Sequence, residues 1–149
     1  MRRLLKFWSL ARPEKQLFCE AAMLLLLSVI CVRTIAFRHI NNFLRARWND
    51  STRSAFSGAG DIELVNLSLL RAANLFPWKT LCLSRSIAAF IMLRRRGIPV
   101  VMFAGVKSDE DSSLLAHAWV QTANGVIGGS SENAAFTPLV RIGAGPADS

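Results

Sequence analysis

The chain has 149 residues, of which 52% are hydrophobic and 19% are charged. This composition supplies a core for one compact domain and excludes wholesale disorder. The formal net charge is +8, and residues 1–50 hold nine Lys/Arg against three acidic residues. No nucleic-acid recognition motif occurs, and aromatic residues do not alternate with basic ones as a stacking platform needs, so we expect no nucleic-acid partner.

The first predicted elements are helical. Residues 14–47 predict one long helix or two abutting helices, including the apolar run AAMLLLLSVICV over residues 21–32. A membrane-spanning helix needs about 20 apolar residues, and no small-x-small cleavage site follows the run. We therefore expect a buried core helix in a cytoplasmic protein. The alternative is a helix in peripheral contact with the inner face of the membrane.

Two further helices follow a Ser- and Gly-rich loop over residues 48–61. Asp61 is a predicted N-cap of a helix that ends at about Asn74. Thr80 is the predicted N-cap of the next helix, which ends at Gly97 because Gly97-Ile98-Pro99 cannot continue it.

The pattern then changes from helical to extended. Residues 100–106 predict a strand, and residues 114–121 alternate with Leu115, His117 and Trp119 on one face. Asn124-Gly125 predicts a two-residue hairpin turn. Helices followed by a small antiparallel sheet indicate an α+β fold, with a helical region over residues 1–75 packed on a core over residues 76–149, as one compact unit.

Cys82 falls in the first turn of the predicted helix. Backbone N–H groups there lack intrahelical partners, and the helix dipole favours negative charge. A thiolate is the reactive form of cysteine, so this position suits a nucleophile, although free cysteines are also commonly buried core residues. The face formed by Cys82, Ser86, Phe90 and Leu93 is expected to press against the sheet.

His117 lies in the middle of a predicted strand, where a histidine is often a core residue. A cysteine at a helix start together with a histidine on a following strand is, however, the arrangement that a thiol nucleophile and its base require. The three cysteines and two histidines have no metal-ligand spacing and no disulfide pattern. We therefore expect a reducing compartment, no metal and no cofactor.

These residues carry a resemblance to a known family. The resemblance lies in the segment FPWKTLCLSRSIAAFIMLRRRGIPVVMFAGV, which is followed by AHAWVQ and GVIGG. Over about residues 71–140 the chain resembles the transglutaminase-like leader peptidases of lasso-peptide biosynthesis. The shared elements stand at Pro77-Trp78, Cys82-Leu83, Leu93 to Gly97, Gly105-Val106 and His117 to Val120. The resemblance implies a papain-like core in which Cys82 attacks the scissile carbonyl and His117 acts first as base and then as acid.

The resemblance also implies partners. The substrate would be a ribosomally made precursor peptide whose leader is removed, and a separate ATP-dependent macrolactam cyclase would then close the ring. Some members carry a fused, strand-rich recognition domain. Because residues 1–75 here predict helices, we expect a separate small precursor-recognition protein.

The sequence departs from the family at the third catalytic group. An aspartate is usual about a dozen residues past the histidine, where this chain has Gly128-Gly129. If Asn124-Gly125 is the hairpin loop, Ala123 faces Val126 and the count places Glu132 opposite His117. A one-residue bulge would present Ser131 or Asn133 instead, and a solvated Glu132 is the plain alternative.

Two other functions remain open at this stage. A non-catalytic scaffold would dock a precursor or partner through basic helices, and a transglutaminase-like acyl transferase would use the same Cys–His pair. The triplet Arg94-Arg95-Arg96 is expected to be a solvated helix end, or alternatively a docking site for an acidic leader or partner.

Overall fold

The computed structural model describes residues 12–48, 59–75, 82–108, 114–123, 125–127 and 135–143. Within these ranges the chain forms four helices followed by four strands, which confirms the predicted α+β class. The helices are α1 (Arg12–Thr34), α2 (Phe37–Trp48), α3 (Ala59–Ala73) and α4 (Cys82–Arg95). The strands are β1 (Val100–Ser108), β2 (Leu114–Thr122), β3 (Gly125–Ile127) and β4 (Thr137–Ile142).

The N-terminal helical segment is divided in two rather than continuous. Backbone hydrogen bonding ends α1 with Ile35 N donating to Cys31 O, and Thr34 Oγ1 donates to Ile30 O at 2.8 Å. α2 then begins at Phe37. β-branched Thr34 and Ile35 are weaker helix formers than their neighbours, so the break falls where helix propensity drops.

The four strands form one antiparallel sheet in the order β3-β2-β1-β4. Strand alternation divides its side chains between two faces. One face is aliphatic and belongs to the main core, with Val100, Met102, Val120, Ile127 and Ile142. The other face is aromatic and carries Phe103, His117 and Trp119, as the alternation of residues 114–121 predicts.

Helix α4 lies at the centre of the molecule. It contacts β1 and β2 on one side and α1 and α3 on the other, so it is buried nearly all round. Ser86, Phe90 and Leu93 are buried, as predicted for the face directed at the sheet. One contiguous apolar cluster joins α4 to the aliphatic face and to the N-terminal helices.

The end of α4 confirms the predicted stop. Gly97 has φ of 72°, a conformation that favours glycine. Gly97 N donates to Arg94 O, and Ile98 N donates to Leu93 O, which is the paired bonding of a Schellman motif. Pro99 then leads the chain into β1.

The expectation of a solvated arginine triplet is wrong for Arg94 and holds for Arg95, which is exposed. Arg94 is buried and donates to Trp48 O at 2.9 Å, while its guanidinium lies over the Phe90 ring. Arg95 and Arg96 both form ion pairs with Glu20 of α1. The N-terminal helices supply the acceptors, Trp48 O and the Glu20 carboxylate, which the sequence of α4 alone does not reveal.

The hairpin register also differs from the prediction. Thr122 pairs with Gly125 and Val120 pairs with Ile127, so the loop consists of residues 123 and 124 rather than 124 and 125. The observed register places Ile127 beside Val120 in the core, and it allows Thr122 Oγ1 to donate to Gly125 O at 2.9 Å. Apolar packing and this side-chain bond outweigh the preference of Asn-Gly for the central turn positions.

Candidate active site

Cys82 is the first residue of α4. Its thiol is partly exposed, whereas Ser84 and Ser86 beyond it are fully buried. The helix thus emerges from the core at the cysteine, with its N-terminal N–H groups at the same end. This placement agrees with the reasoning that selected Cys82, but the predicted cap Thr80 and the Pro77-Trp78 pair lie outside the described residues.

Helix α4 ends and strand β1 starts near Gly143, and ideal rises give the length of each element as far as Cys82 and as far as the partner of His117. Near the C-terminal end of α4, Arg94 and the start of β1 at Val100 both approach Gly143. From Arg94 back to Cys82 the helix rises by roughly 18 Å, at about 1.5 Å per residue. From Val100 to Gly105, which pairs with His117, β1 rises by a similar distance, roughly 17 Å at about 3.3 Å per residue.

The two candidate residues nevertheless belong to different sides of the sheet. α4 packs on the aliphatic face, whereas His117 lies on the aromatic face with Trp119. Within the part of the chain that the structure describes, no hydrogen bond joins the Cys82 thiol to the His117 imidazole. The expected Cys–His pair therefore stays a prediction.

His117 is held in an aromatic enclosure, formed with Phe103, Trp119 and Phe136. Its ring is stacked on Trp119 at a centroid distance of 6.0 Å and an interplanar angle of 17°. Phe136 lies 5.1 Å from the imidazole centroid in a tilted arrangement, and Trp119 stacks on Phe103 in turn. These contacts fix the plane of the imidazole and exclude water from its faces.

The His117 Nε2 atom is buried and has no hydrogen-bond partner among the described residues. The hydroxyl oxygens of Ser84 and Ser86 on α4 share this condition. Buried polar atoms nearly always have partners, because an unsatisfied one costs about 1–3 kcal/mol. The two serine hydroxyls lie on α4 and the imidazole lies on the opposite face of the sheet, so these atoms form two separate groups.

Gly105 is directly opposite His117 in the sheet, and its lack of a side chain shapes the enclosure. A Cβ at Gly105 would lie 2.5 Å from the backbone oxygen of Thr137. The register between β1 and β4 shifts at this point, between Ala104 and Gly105. The close approach of β4 at Gly105 places Phe136, immediately before the strand, against the imidazole.

Glu132 is not tested by this geometry. Residues 128–134 lie outside the described residues, and so do the alternatives Ser131 and Asn133. The count that selected Glu132 assumed that Ala123 faces Val126, whereas Gln121 occupies that position. The register therefore no longer supports Glu132 as the residue opposite His117.

The described parts of the chain contain no group of three His, Cys, Asp or Glu side chains with the geometry of a metal site. Among the ionisable groups, Arg94 is distinctive because desolvation by burial lowers the pKa of its guanidinium. Arg85, one turn beyond Cys82, is partly buried. Arg85 is the basic residue of α4 nearest in sequence to Cys82.

A profile of the Transglutaminase-like superfamily matches residues 24–141, which is well over half of the 149 residues. The chain therefore belongs to the transglutaminase-like superfamily. Proteins of this superfamily often have cysteine peptidase activity, and the domain is compatible with peptidase or acyltransferase chemistry. Neither the curated proteins nor the solved structures give a significant match.

The match begins inside α1, so it extends further toward the N-terminus than the motif resemblance. It contains both Cys82 and His117. The motif analysis missed Phe136 and the buried role of Arg94, since neither lies in a recognisable motif. The only local signal for Phe136 is an aromatic residue next to Thr-Pro, which by itself predicts no more than a strand start.

Proposed function

We propose that this protein is a cysteine peptidase that removes the leader from a ribosomally made lasso-peptide precursor, before a separate ATP-dependent cyclase closes the macrolactam. The observation that carries the proposal is the placement of Cys82 at the partly buried start of a core helix that contacts the strand of His117, inside a transglutaminase-like domain. The lasso-peptide substrate rests on the motif resemblance alone.

The proposed reaction uses these two side chains in order. The Cys82 sulfur attacks the scissile carbonyl carbon while His117 accepts the thiol proton, and backbone N–H groups at the start of α4 stabilise the oxyanion. His117 then donates the proton to the leaving amine, which departs with the far part of the peptide. Water, deprotonated by His117, hydrolyses the thioester and regenerates the thiol.

Catalysis requires Cys82 and His117 to approach each other, since no hydrogen bond joins them in the described structure. The unsatisfied His117 Nε2 supports this requirement, because a thiolate would give that atom its missing partner. We therefore propose that the site is completed when the precursor peptide is delivered by a recognition protein. Activity of the isolated chain is then expected to be weak.

The test is a cleavage assay with the full chain, a precursor peptide and its recognition protein, with leader release followed by mass spectrometry. Cys82→Ala should lower the cleavage rate by about 10³-fold or more, because no other group supplies the nucleophile. Cys31→Ala is the matched control, since that thiol is also partly buried and lies on a different helix, α1. It should retain cleavage.

Unchanged cleavage by Cys82→Ala would overturn the mechanism. Absence of cleavage by the wild-type protein with a full set of partners would overturn the peptidase function. Circular dichroism of each variant separates loss of chemistry from loss of folding. Addition and omission of the recognition protein separate an inactive site from an incompletely assembled one.

A non-catalytic docking protein of the same pathway is a second candidate. The observation that favours it is the separation of Cys82 and His117 on different sides of the sheet. In that case Cys82→Ala would leave pathway output intact. Charge reversal at exposed Arg95 would abolish pathway output only if the protein works by docking an acidic partner at that residue.

An acyl transferase is a third candidate, because the superfamily is compatible with that chemistry. The first half-reaction would be the same, and an amine would replace water as the group that attacks the thioester. Incorporation of a labelled primary amine into the peptide, in place of a free carboxylate, would identify this activity.

A further inference from the structure

Helix α1 presents an exposed apolar stripe. Met23, Leu26, Leu27 and Ile30 are 41–53% exposed, and their spacing of three and four residues places them on one side of the helix. Leu25, on another side, is fully buried in the core. The expectation of a buried core helix therefore holds for one side of α1, where Ala21 and Leu25 lie in the core, and not for the side that carries the stripe.

The charged residues that follow this stripe in α1 and α2 have one sign. Residues 21–48 contain four arginines and no acidic residue. Arg33 follows the stripe by about one turn of α1, and Arg38 lies in the first turn of α2, with both side chains exposed. An apolar helix side bordered by exposed arginines is the pattern of an interfacial helix that binds anionic lipid.

We propose that α1 lies on the surface of an anionic lipid bilayer, with the stripe Met23, Leu26, Leu27 and Ile30 inserted at the boundary between headgroups and acyl chains. Arg33 and Arg38 then meet the lipid phosphates. The stripe extends over roughly 10 Å of helix, which suits shallow insertion with the helix axis parallel to the surface.

The structure favours a surface position over a spanning one. By length and composition the segment Glu14–Thr34 is able to cross a membrane, a test that the core helix of a soluble protein and a signal sequence also pass. Ala21 and Leu25, however, share a continuous core with Val65 and Phe90. A spanning α1 would remove these side chains from their partners, whereas a surface position leaves the core intact.

The charge also argues against a second copy of the chain as the occupant. Pairing two stripes would bring two regions with arginines and no acidic residues together, and like charges repel across an interface. A bilayer rich in anionic lipid supplies both the apolar interior and the opposite charge.

The test is flotation of the full-length protein with vesicles of phosphatidylcholine alone or of phosphatidylcholine and phosphatidylglycerol at 3:1. We expect strong binding to the anionic vesicles only, weakened by high salt. Leu26→Gln/Leu27→Gln should lower the partition coefficient by roughly tenfold or more. Arg33→Gln/Arg38→Gln should lower it by about tenfold.

The matched control is Leu114→Gln/Leu139→Gln, which changes two exposed leucines of the sheet. It should bind vesicles like the wild type, and all variants should keep native circular dichroism because the changed side chains are exposed. Equal loss of binding by stripe and control variants would overturn the proposal. Failure of the wild-type protein to bind anionic vesicles would also overturn it. So would a dimeric wild-type protein that becomes monomeric when the stripe is substituted.

Discussion

The two ends of helix α4 differ in how far their polar groups are satisfied. At the C-terminal end, a Schellman motif provides partners for the last backbone carbonyl groups. Arg94 donates to Trp48 O, and Glu20 forms ion pairs with Arg95 and Arg96. At the N-terminal end, Cys82 is partly exposed, and the hydroxyls of Ser84 and Ser86 lack partners within the described structure. The C-terminal end is tied to the rest of the fold by these contacts, whereas the N-terminal end carries the proposed nucleophile.

The largest expected effect on folding is at the C-terminal end. Arg94→Ala removes a buried side chain, its hydrogen bond to Trp48 O and its contact with Phe90, and should lower the free energy of unfolding by about 3 kcal/mol. Arg94→Met keeps most of the volume and relieves a desolvated charge, so its loss should be nearer about 1 kcal/mol. Urea titration of both variants measures the difference, and equal losses would mean that packing at Arg94 is unimportant.

The next effect concerns reactivity at the N-terminal end. Cys82 should react with limiting iodoacetamide at pH 6 on the order of tenfold faster than the exposed Cys19, since an ordinary thiol is mostly protonated there. His117→Gln should abolish the advantage if the imidazole stabilises the thiolate. Peptide mass mapping gives the site of labelling.

A second outcome is equal labelling of Cys82 and Cys19 in the isolated protein, with faster labelling of Cys82 once precursor and recognition protein are added. That result would mean that the partner assembles the Cys82–His117 pair. Equal labelling in both conditions would contradict the proposed pair. An advantage that survives His117→Gln would assign the reactivity to the helix terminus alone.

A smaller effect of opposite sign is expected at Ser86. Ser86→Ala removes a buried hydroxyl without a partner in the described structure, so the free energy of unfolding should rise by about 1 kcal/mol. If the hydroxyl contacts the bound peptide, cleavage should fall while stability rises. A loss of stability on urea titration would show that the hydroxyl has a structural partner.

The smallest effect is expected at Glu20. Glu20→Gln breaks the ion pairs with Arg95 and Arg96, but these groups are partly exposed, so the loss should be about 0.5–1 kcal/mol and should shrink in high salt. Glu63→Gln, at an exposed position of α3, is the control. Thermal unfolding at low and high salt distinguishes the two, and a salt-independent loss would argue against an ionic contribution.

Local pattern predicted most of the elements. Apolar periodicity, the Gly97 stop and the strict alternation of residues 114–121 give α3, α4, β1 and β2 nearly at their observed bounds. Such signals depend on residues a few positions apart, so they can be read along the chain. The transglutaminase-like superfamily follows from motifs within the same segment and is confirmed by the profile match. Membership of the lasso-peptide leader peptidases within it, and the boundary between residues 75 and 76, stay predictions.

The sequence by itself determined the α+β class, the position of Cys82 at a helix start and the face on which His117 lies. The tertiary structure decided the partners of Arg94 and Arg96, the hairpin register, the contact of Phe136 with His117 and the one-sided burial of α1. The reason is separation along the chain. Arg96 is 76 residues from Glu20, and no local periodicity relates two side chains that meet only after the helices pack.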